Sequence, residues 1–424
     1  MKVLLISANR EEINMRTWPL GPACVAAAAQ GAGHDVEFLD LMRAAEPESS
    51  IAEAIRRFRP DVIGVSVRNV DDQKMENPKF LLEDVKQVVS RCKQLSAAPV
   101  VLGGAGYSMY PESLLKFLNA DMGIQGEGES AFLLLLGRLR EKADLTGVPG
   151  LYLQGRGMQG DRSFQRNLDA FPLPDPALLG KYVPKHEDFW LPVQTRRGCP
   201  FRCSYCSTAT IEGCVLRKRS PEEVVGWINE WVRRDVRQFY FVDNTFNLPA
   251  SYAKQLCSGL MALREDLSWR CIIYPIHVDA DLAAVMAEAG CKEVALGFES
   301  GSELILHGLN KRFKPEDVRR ISEVLAKNRI RRMGFLLLGG PGETRQTALE
   351  SLRFADSLGL EAMKLNVGIR IYPYTALARK AVDEGVILPE DDLLSPRFYL
   401  AKGLETWLRE TVMEWMSTRP NWMT

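Results

Sequence analysis

The sequence predicts an α/β chain: an N-terminal doubly wound, Rossmann-like domain, then a partial parallel (β/α)6 barrel and a C-terminal helical segment. Three observations predict it. Short runs that are apolar throughout alternate with amphipathic runs along most of the chain, as parallel strands do when helices cover both sheet faces. The spacing of this alternation lengthens from residue 191. Between the two regions, residues 146–190 turn rich in glycine and proline, the composition of a linker. A chain of 424 residues suits two or three domains at roughly 150 residues each. It also buries a full core without staples.

Residues 1–145 read as five strand–helix units. KVLLISA (2–8) is a strand and LGPACVAAAAQGAG (20–33) a helix ending in glycine. DVEFLD (35–40) and SIAEAIRRF (50–58) follow, then DVIGVSV (61–67) and the amphipathic FLLEDVKQVVSRCKQL (80–95). PVVLGGAG (99–106) precedes the helix PESLLKFL (111–118). DMGIQ (121–125) precedes ESAFLLLLGRLREK (129–142). In the linker, GLYLQGRGMQGDRSF (150–164) reads as a hairpin or loop, and FPLPDPALLGKYVP (171–184) is proline-rich. Residues 191–375 hold six strands: LPVQTRR (191–197), QFYFVDN (238–244), CIIYPIHV (271–278), EVALGFE (293–299), RMGFLLLGG (332–340) and MKLNVGIRIY (363–372). Ser220 with Glu223 forms a predicted capping box, and Pro221 opens that helix. The rest, 376–424, contains one amphipathic helix in YLAKGLETWLRETVMEWM (399–416).

Composition excludes several roles. The chain has 54 basic and 54 acidic side chains, so no basic face for nucleic acid is expected. The longest apolar runs, such as AFLLLLG, are far shorter than a membrane span. The N-terminus lacks the pattern of a signal peptide, which predicts a cytoplasmic protein with its nine cysteines mostly reduced. Cys24, Cys92, Cys257, Cys271 and Cys291 sit in apolar runs and read as core.

Cys199, Cys203 and Cys206 cluster in TRRGCPFRCSYCST (195–208), directly after the first barrel strand. Barrel chemistry gathers at that end of the strands. Three thiolates hold three irons of a cubic four-iron cluster and leave the fourth open. Gly198 lets the backbone wrap closely. Arg196, Arg197 and Arg202 are placed to offset the cluster's negative charge. The competing reading is zinc, with Cys214 as fourth ligand.

The spacing Cys199-x3-Cys203-x-Tyr205-Cys206 resembles the signature of radical S-adenosylmethionine (SAM) enzymes, and the likeness spans about residues 190–375. It implies a 4Fe-4S cluster whose open iron takes the amino and carboxylate groups of SAM. Reductive cleavage then gives a 5′-deoxyadenosyl radical, with an electron donor such as flavodoxin or ferredoxin. Glu299 and Ser300 of GFESGS would meet the ribose and methionyl ends. Gly339, Gly340 and Pro341 of LGGPGET would lie against adenine, and Asp243 and Asn244 of VDNTFN against the methionyl amine. Arg370 and Tyr372 share one face of GIRIYPY by alternation. They are catalytic candidates, with Arg370 either paired to a substrate carboxylate or to Glu299, or a solvated rim residue.

In the first domain, ligand is expected at the C-terminal strand edges, SANRE, SVRNVDD, GGAGYS and GEGES. No G-x-G-x-x-G follows the first strand, which disfavours a dinucleotide. The runs 19–40, 59–67, 100–115 and 120–129 resemble the cobalamin-binding domain that precedes many radical SAM barrels. That implies a corrin site with Gly103, Gly104, Gly126, Glu127 and Gly128 around the cofactor. The Asp-x-His-x-x-Gly loop of many cobalamin proteins is absent, so Arg68 and Asn69 become the candidates facing cobalt. The combined resemblance implies a cobalamin-dependent methyltransferase acting on an unactivated carbon or phosphorus of a small metabolite, peptide or lipid. Two alternatives stay open. One is a radical SAM enzyme with an empty first domain, doing rearrangement or aminocarboxypropyl transfer. The other is a non-catalytic iron–sulfur or corrin sensor.

Overall fold

A computed structural model describes residues 1–12, 18–179 and 189–424. The first sheet contains β1 (Lys2–Ser7), β2 (Asp35–Asp40), β3 (Val62–Ser66), β4 (Val100–Gly103), β5 (Met122–Ile124), β6 (Leu151–Leu153) and β7 (Gly157–Met158). Their order is β2-β1-β3-β4-β5-β6-β7, and the first five pair in parallel. The chain order reverses between β1 and β3, which opens a crevice at their C-terminal ends. Strand β6 adds antiparallel to β5, and β7 adds antiparallel to β6. Residues 151–158 therefore belong to the first sheet, a correction to the linker expected over 146–190. The hairpin covers the edge that β5 would otherwise leave open. Of that expected linker, 180–188 lie outside the described residues.

The second sheet begins with β8 (Leu191–Val193). A small antiparallel pair follows, β9 (Arg196–Arg197) with β10 (Arg217–Lys218). The sheet continues through β11 (Gln238–Phe241), β12 (Ser268–Ile273), β13 (Cys291–Glu299), β14 (Arg331–Leu338) and β15 (Ala362–Val367). A second small pair, β16 (Ile369–Arg370) with β17 (Phe398–Tyr399), precedes β18 (Trp422–Met423). The barrel order is β18-β15-β14-β13-β12-β11-β8, all parallel. Six of these strands match the predicted barrel. The last, β18, is two residues long and leaves no alternation to read.

One face of each barrel strand packs under the helices. Phe239, Phe241, Trp269 and Phe298 are buried there, and the Phe241, Phe246 and Trp269 rings lie 5.0–5.2 Å apart. The alternate positions Tyr240, Arg270, Phe335 and Leu337 are only half-buried, so the lumen is open where a closed barrel would be filled. The helix Pro221–Val232 starts as predicted, but Ser220 makes no side-chain cap. Its backbone N–H instead donates to the Asp169 carboxylate at 3.0 Å, which replaces the expected capping box. Among the described residues no helix is long and apolar enough to cross a membrane.

Candidate functional site

The cysteine loop is shaped before any cofactor is considered. Gly198 has φ 84°, and a Cβ there would stand 2.2 Å from the Val215 carbonyl oxygen. Glu212, closing the short helix Thr208–Glu212, braces the loop. It accepts from Gly198 N at 3.0 Å, Gln194 Nε2 at 3.0 Å and Asn244 Nδ2 at 2.7 Å. Cys199 is buried, and Cys203 and Cys206 are half-buried; all three are free thiols. Burial pushes the Cys199 thiol up to about 11, and its neighbours Cys206 and Cys203 add to the rise. Burial raises Cys203 as well, opposed by the Lys311 ammonium. Cys199 and Cys203 therefore both sense charge on their neighbouring thiols. Among the described residues no three Cys, His, Asp or Glu side chains already form a finished coordinating set. Neutral thiols have no mutual attraction to close one, whereas a bound metal keeps its thiols ionised. Three soft donors with no histidine among them fit iron–sulfur ligation. Cys214 is exposed.

Two of the arginines expected to face the cluster serve elsewhere. Arg196 is 1% exposed, with Nε 3.3 Å from Asp243 Oδ2 and Nη1 on the Phe246 and Leu248 carbonyls at 2.7 and 2.5 Å. Asp243 accepts in addition from Thr195 N at 2.7 Å, Thr195 Oγ1 at 2.6 Å and Arg196 N at 3.0 Å. It is a sealed brace between the ends of β8 and β11, which corrects its expected contact with a methionyl amine. Arg197 reaches across to the first domain, 2.5 Å from Glu129 Oε1 and 3.5 Å from Glu127 Oε1. Arg217 pairs with Glu127 as well. Glu127 is thus spent on ion pairs between the domains. Arg202 is tied to the barrel through its carbonyl, which accepts from Asn310 Nδ2 at 2.5 Å.

The cation beside the thiols is Lys311, which the sequence reading missed. Its side chain is 4% exposed and its Nζ lies 3.3 Å from Glu299 Oε1. Tyr205 OH donates to the same oxygen at 3.0 Å, and Nζ sits 5.4 Å from the Tyr205 ring centroid. Against burial, which favours the neutral amine, Tyr205 and Glu299 hold the Lys311 ammonium well above its usual range. Glu299 has φ 66°, a left-handed conformation that costs about 1–3 kcal/mol in a non-glycine residue. Ser300 does not face the lumen: it is fully buried, 2.8 Å from Ser351 Oγ, and accepts from Ser302 N at 3.1 Å. Asn244 sits by the loop, accepting from Thr208 Oγ1 at 3.4 Å, while Thr208 Oγ1 accepts from the Cys206 thiol at 3.2 Å.

Gly339 and Gly340 form no open cradle. Both backbone amides donate to Glu343 Oε2, and Pro341 follows in the same turn. A Cβ on Gly339 would meet the Leu400 side chain at 2.3 Å. Burial raises Glu343 from 4.5 to about 7 despite those amides, and its Oε1 is buried without a partner. The folded chain then holds this proton after the unfolded chain has released it. Its stabilisation is complete below about pH 4.5 and is lost as pH rises through about 7. Glu343→Gln should flatten stability over that window, read as melting temperatures at about pH 5 and about pH 8. A slope as steep as the parent's would exclude Glu343 as the source.

Arg370 is 4% exposed, and its Nε lies 2.8 Å from Asp71 Oδ2 of the first domain. Neither a substrate carboxylate nor Glu299 is its partner, and it is not a solvated rim residue. Tyr372 is half-buried. Burial raises its hydroxyl, with Asp71, Tyr110 and Cys206 adding to the rise, so it lies between the domain seam and the cysteine loop.

A cavity of about 430 Å³ lies between the two sheets' C-terminal strand ends. Ser7, Ser66, Gly103, Gly104, Gly126 and Gly128 line it on the first-domain side. Pro192, Gln194, Arg197, Ile211, Glu212 and Val242 line it on the barrel side. Gly104 has φ 96°, and a Cβ there would stand 2.6 Å from the Val67 carbonyl, so a side chain cannot narrow this edge. Arg68 lines the cavity with Nη1 buried and unpartnered, and burial lowers its pKa. The rest of the lining is mostly apolar, so a large ligand with an apolar face and a polar group for that nitrogen fits. Asn69 is turned aside, donating to Asn9 Oδ1 at 3.4 Å and lining a separate crevice.

Comparison with known proteins agrees with both halves. The radical SAM superfamily model matches residues 193–355, and the B12 binding domain model matches 6–136. An uncharacterized methyltransferase, PH0819, of Pyrococcus horikoshii is 27% identical over 92% of this chain and 84% of its own length. Tryptophan 2-C-methyltransferase of Streptomyces laurentii is 24% identical over 90% of this chain and 74% of its own. The radical SAM methyltransferase TsrM of Kitasatospora setae, solved with cobalamin and a [4Fe-4S] cluster, shares the fold at TM-score 0.86 and 20% identity. That match covers 100% of this chain and 90% of TsrM. With both domain models matched in this order and a common cavity between their strand ends, the chain belongs to the radical SAM enzymes that carry an N-terminal cobalamin-binding domain.

Proposed function

We propose that this enzyme is a cobalamin-dependent methyltransferase acting on an unactivated carbon or phosphorus of a small metabolite, peptide or lipid. One observation carries the reading. The strand ends of both sheets open on a single cavity, with the brace of the cysteine loop, Glu212, on one wall and the glycine edges with Arg68 on the other. When bound, the cluster with SAM supplies a one-electron cleavage, and cobalamin supplies a transferable methyl group. The chain's residues hold and align these groups. Cys199, Cys203 and Cys206 are the iron ligands. Glu299, oriented by Tyr205 and Lys311, offers its free oxygen to SAM, and Asn244 stands beside the same loop. Arg68 brings its unpartnered guanidinium nitrogen to the corrin. The buried walls keep water from reactive groups. A cytoplasmic flavodoxin or ferredoxin is the electron donor that suits this chemistry. The methyltransferase names of PH0819 and the Streptomyces laurentii relative support the reaction class.

The test is anaerobic reconstitution with and without hydroxocobalamin. Purified protein should retain a corrin absorbance band. It should form 5′-deoxyadenosine in both cases and S-adenosylhomocysteine only with corrin. Protein that takes up no corrin when hydroxocobalamin is supplied, or that forms no S-adenosylhomocysteine with it, would contradict the methyl-transfer reading. Glu299→Gln should keep its iron and raise KM for SAM. A charged hydrogen bond worth about 1.5–3 kcal/mol corresponds to roughly tenfold to a hundredfold. An unchanged KM would remove Glu299 from the SAM site.

A further inference from the structure

Among the described residues, two groups of buried ion pairs join the domains, at opposite ends of the barrel's strand order. Arg197 and Arg217 pair with Glu127 and Glu129 next to β8. Arg370 pairs with Asp71 just after β15. In the sheet, β8 is one edge, and β15 is followed only by the two-residue β18. A single joint lets two bodies pivot; a joint at each end fixes their tilt.

The second joint is built for rigidity. Asp71 and Arg370 have side chains 0% and 3% exposed. Asp71 Oδ1 accepts from Gln73 N at 2.9 Å. Arg370 Nη1 donates to the Ile371 carbonyl at 2.6 Å and Nη2 to the Leu393 carbonyl at 2.8 Å. The Tyr372 and Tyr110 ring centroids lie 5.3 and 6.0 Å from the guanidinium carbon. A bridge between Asp71 and Phe80 closes the first-domain loop that bears the acid. Within that loop Met75 presses on Gly368, where a Cβ would stand 2.5 Å from its sulfur. Asp71 follows Arg68 by three residues, and Arg370 precedes Tyr372 by two. The pair therefore ties the segment facing the corrin to the segment beside the cysteine loop.

We propose that Arg370 and Asp71 are positioning residues, a clamp that sets the distance and tilt between the corrin and the iron–sulfur cluster. The inference rests on the cobalamin reading of the first domain. A desolvated pair is a costly way to gain stability alone, since apolar replacements of similar volume are often neutral or stabilising. Its distinctive property is a fixed geometry.

That property separates positioning from stability. Arg370→Gln leaves the Asp71 charge buried and alone, so loss of fold is expected there. The informative protein is the double variant Asp71→Leu/Arg370→Met, which strands no charge. Holoenzyme is reduced to give a cobalt(II) corrin and a one-electron-reduced cluster, and their spin–spin coupling is read by electron paramagnetic resonance. The parent should show one narrow distance. The double variant should hold iron and corrin as the parent does, with a distance distribution broader by at least about 1 Å. A misplacement of that size costs positioned reactions roughly a hundredfold. An equally narrow distribution in the double variant would overturn the clamp while leaving the cofactor assignment intact. Parent enzyme with a cluster and no cobalt signal would overturn the cobalamin reading, and the clamp with it.

Discussion

Cys203→Ala should fold normally, lose its iron–sulfur absorbance and drop SAM cleavage by more than about a thousandfold, to background. Residues that act as one unit are non-additive, so losing one of three ligands costs nearly as much as losing all. Cys203 is half-buried, and removing one sulfur costs stability on the order of 1 kcal/mol. Melting temperature should therefore change little while iron content collapses. Cys214→Ala is the control. Cys214 is exposed on the loop, and its replacement should leave iron and deoxyadenosine yield at parent levels. The zinc alternative predicts the reverse for Cys214, because a fourth thiolate would be needed to close the site.

Asp243→Ala is expected to be the most destabilising single change near the site. Asp243 is fully buried and receives three hydrogen bonds from Thr195 and Arg196 as well as the Arg196 guanidinium. Removing one member of such a pair typically costs about 3–5 kcal/mol, since the remaining charge stays buried without compensation. Denaturant unfolding measures it directly. Were Asp243 a contact to the methionyl amine, as its place at the end of β11 first suggested, stability would be nearly unchanged and KM for SAM would rise.

These two residues show what the sequence makes legible. Cys199, Cys203 and Cys206 are readable because ligand spacing is a local property, and the strand–helix alternation gives the sheets because burial periodicity is local too. The partners of Asp243, Ser300 and Arg370 are 48, 51 and 299 residues away in sequence, so their alternation reveals a face and not an occupant. Gly339 and Gly340 mark a tight turn correctly, yet their amides turn inward to Glu343, a residue only three or four positions on. Lys311 was missed for a different reason. In GLNKRF it looks like any loop lysine, and only the packed Tyr205 and Glu299 reveal a buried cation. An acid at a strand end with a tyrosine inside the cysteine motif is the signal from which a buried counter-charge was predictable.

The most direct test of the whole account is electron paramagnetic resonance on oxygen-free, dithionite-reduced protein, before and after adding SAM. A cluster held by the three cysteines with one accessible iron predicts a reduced four-iron signal whose g-values shift when SAM binds. Tetrahedral zinc in place of iron, or an iron signal unmoved by saturating SAM, would contradict it.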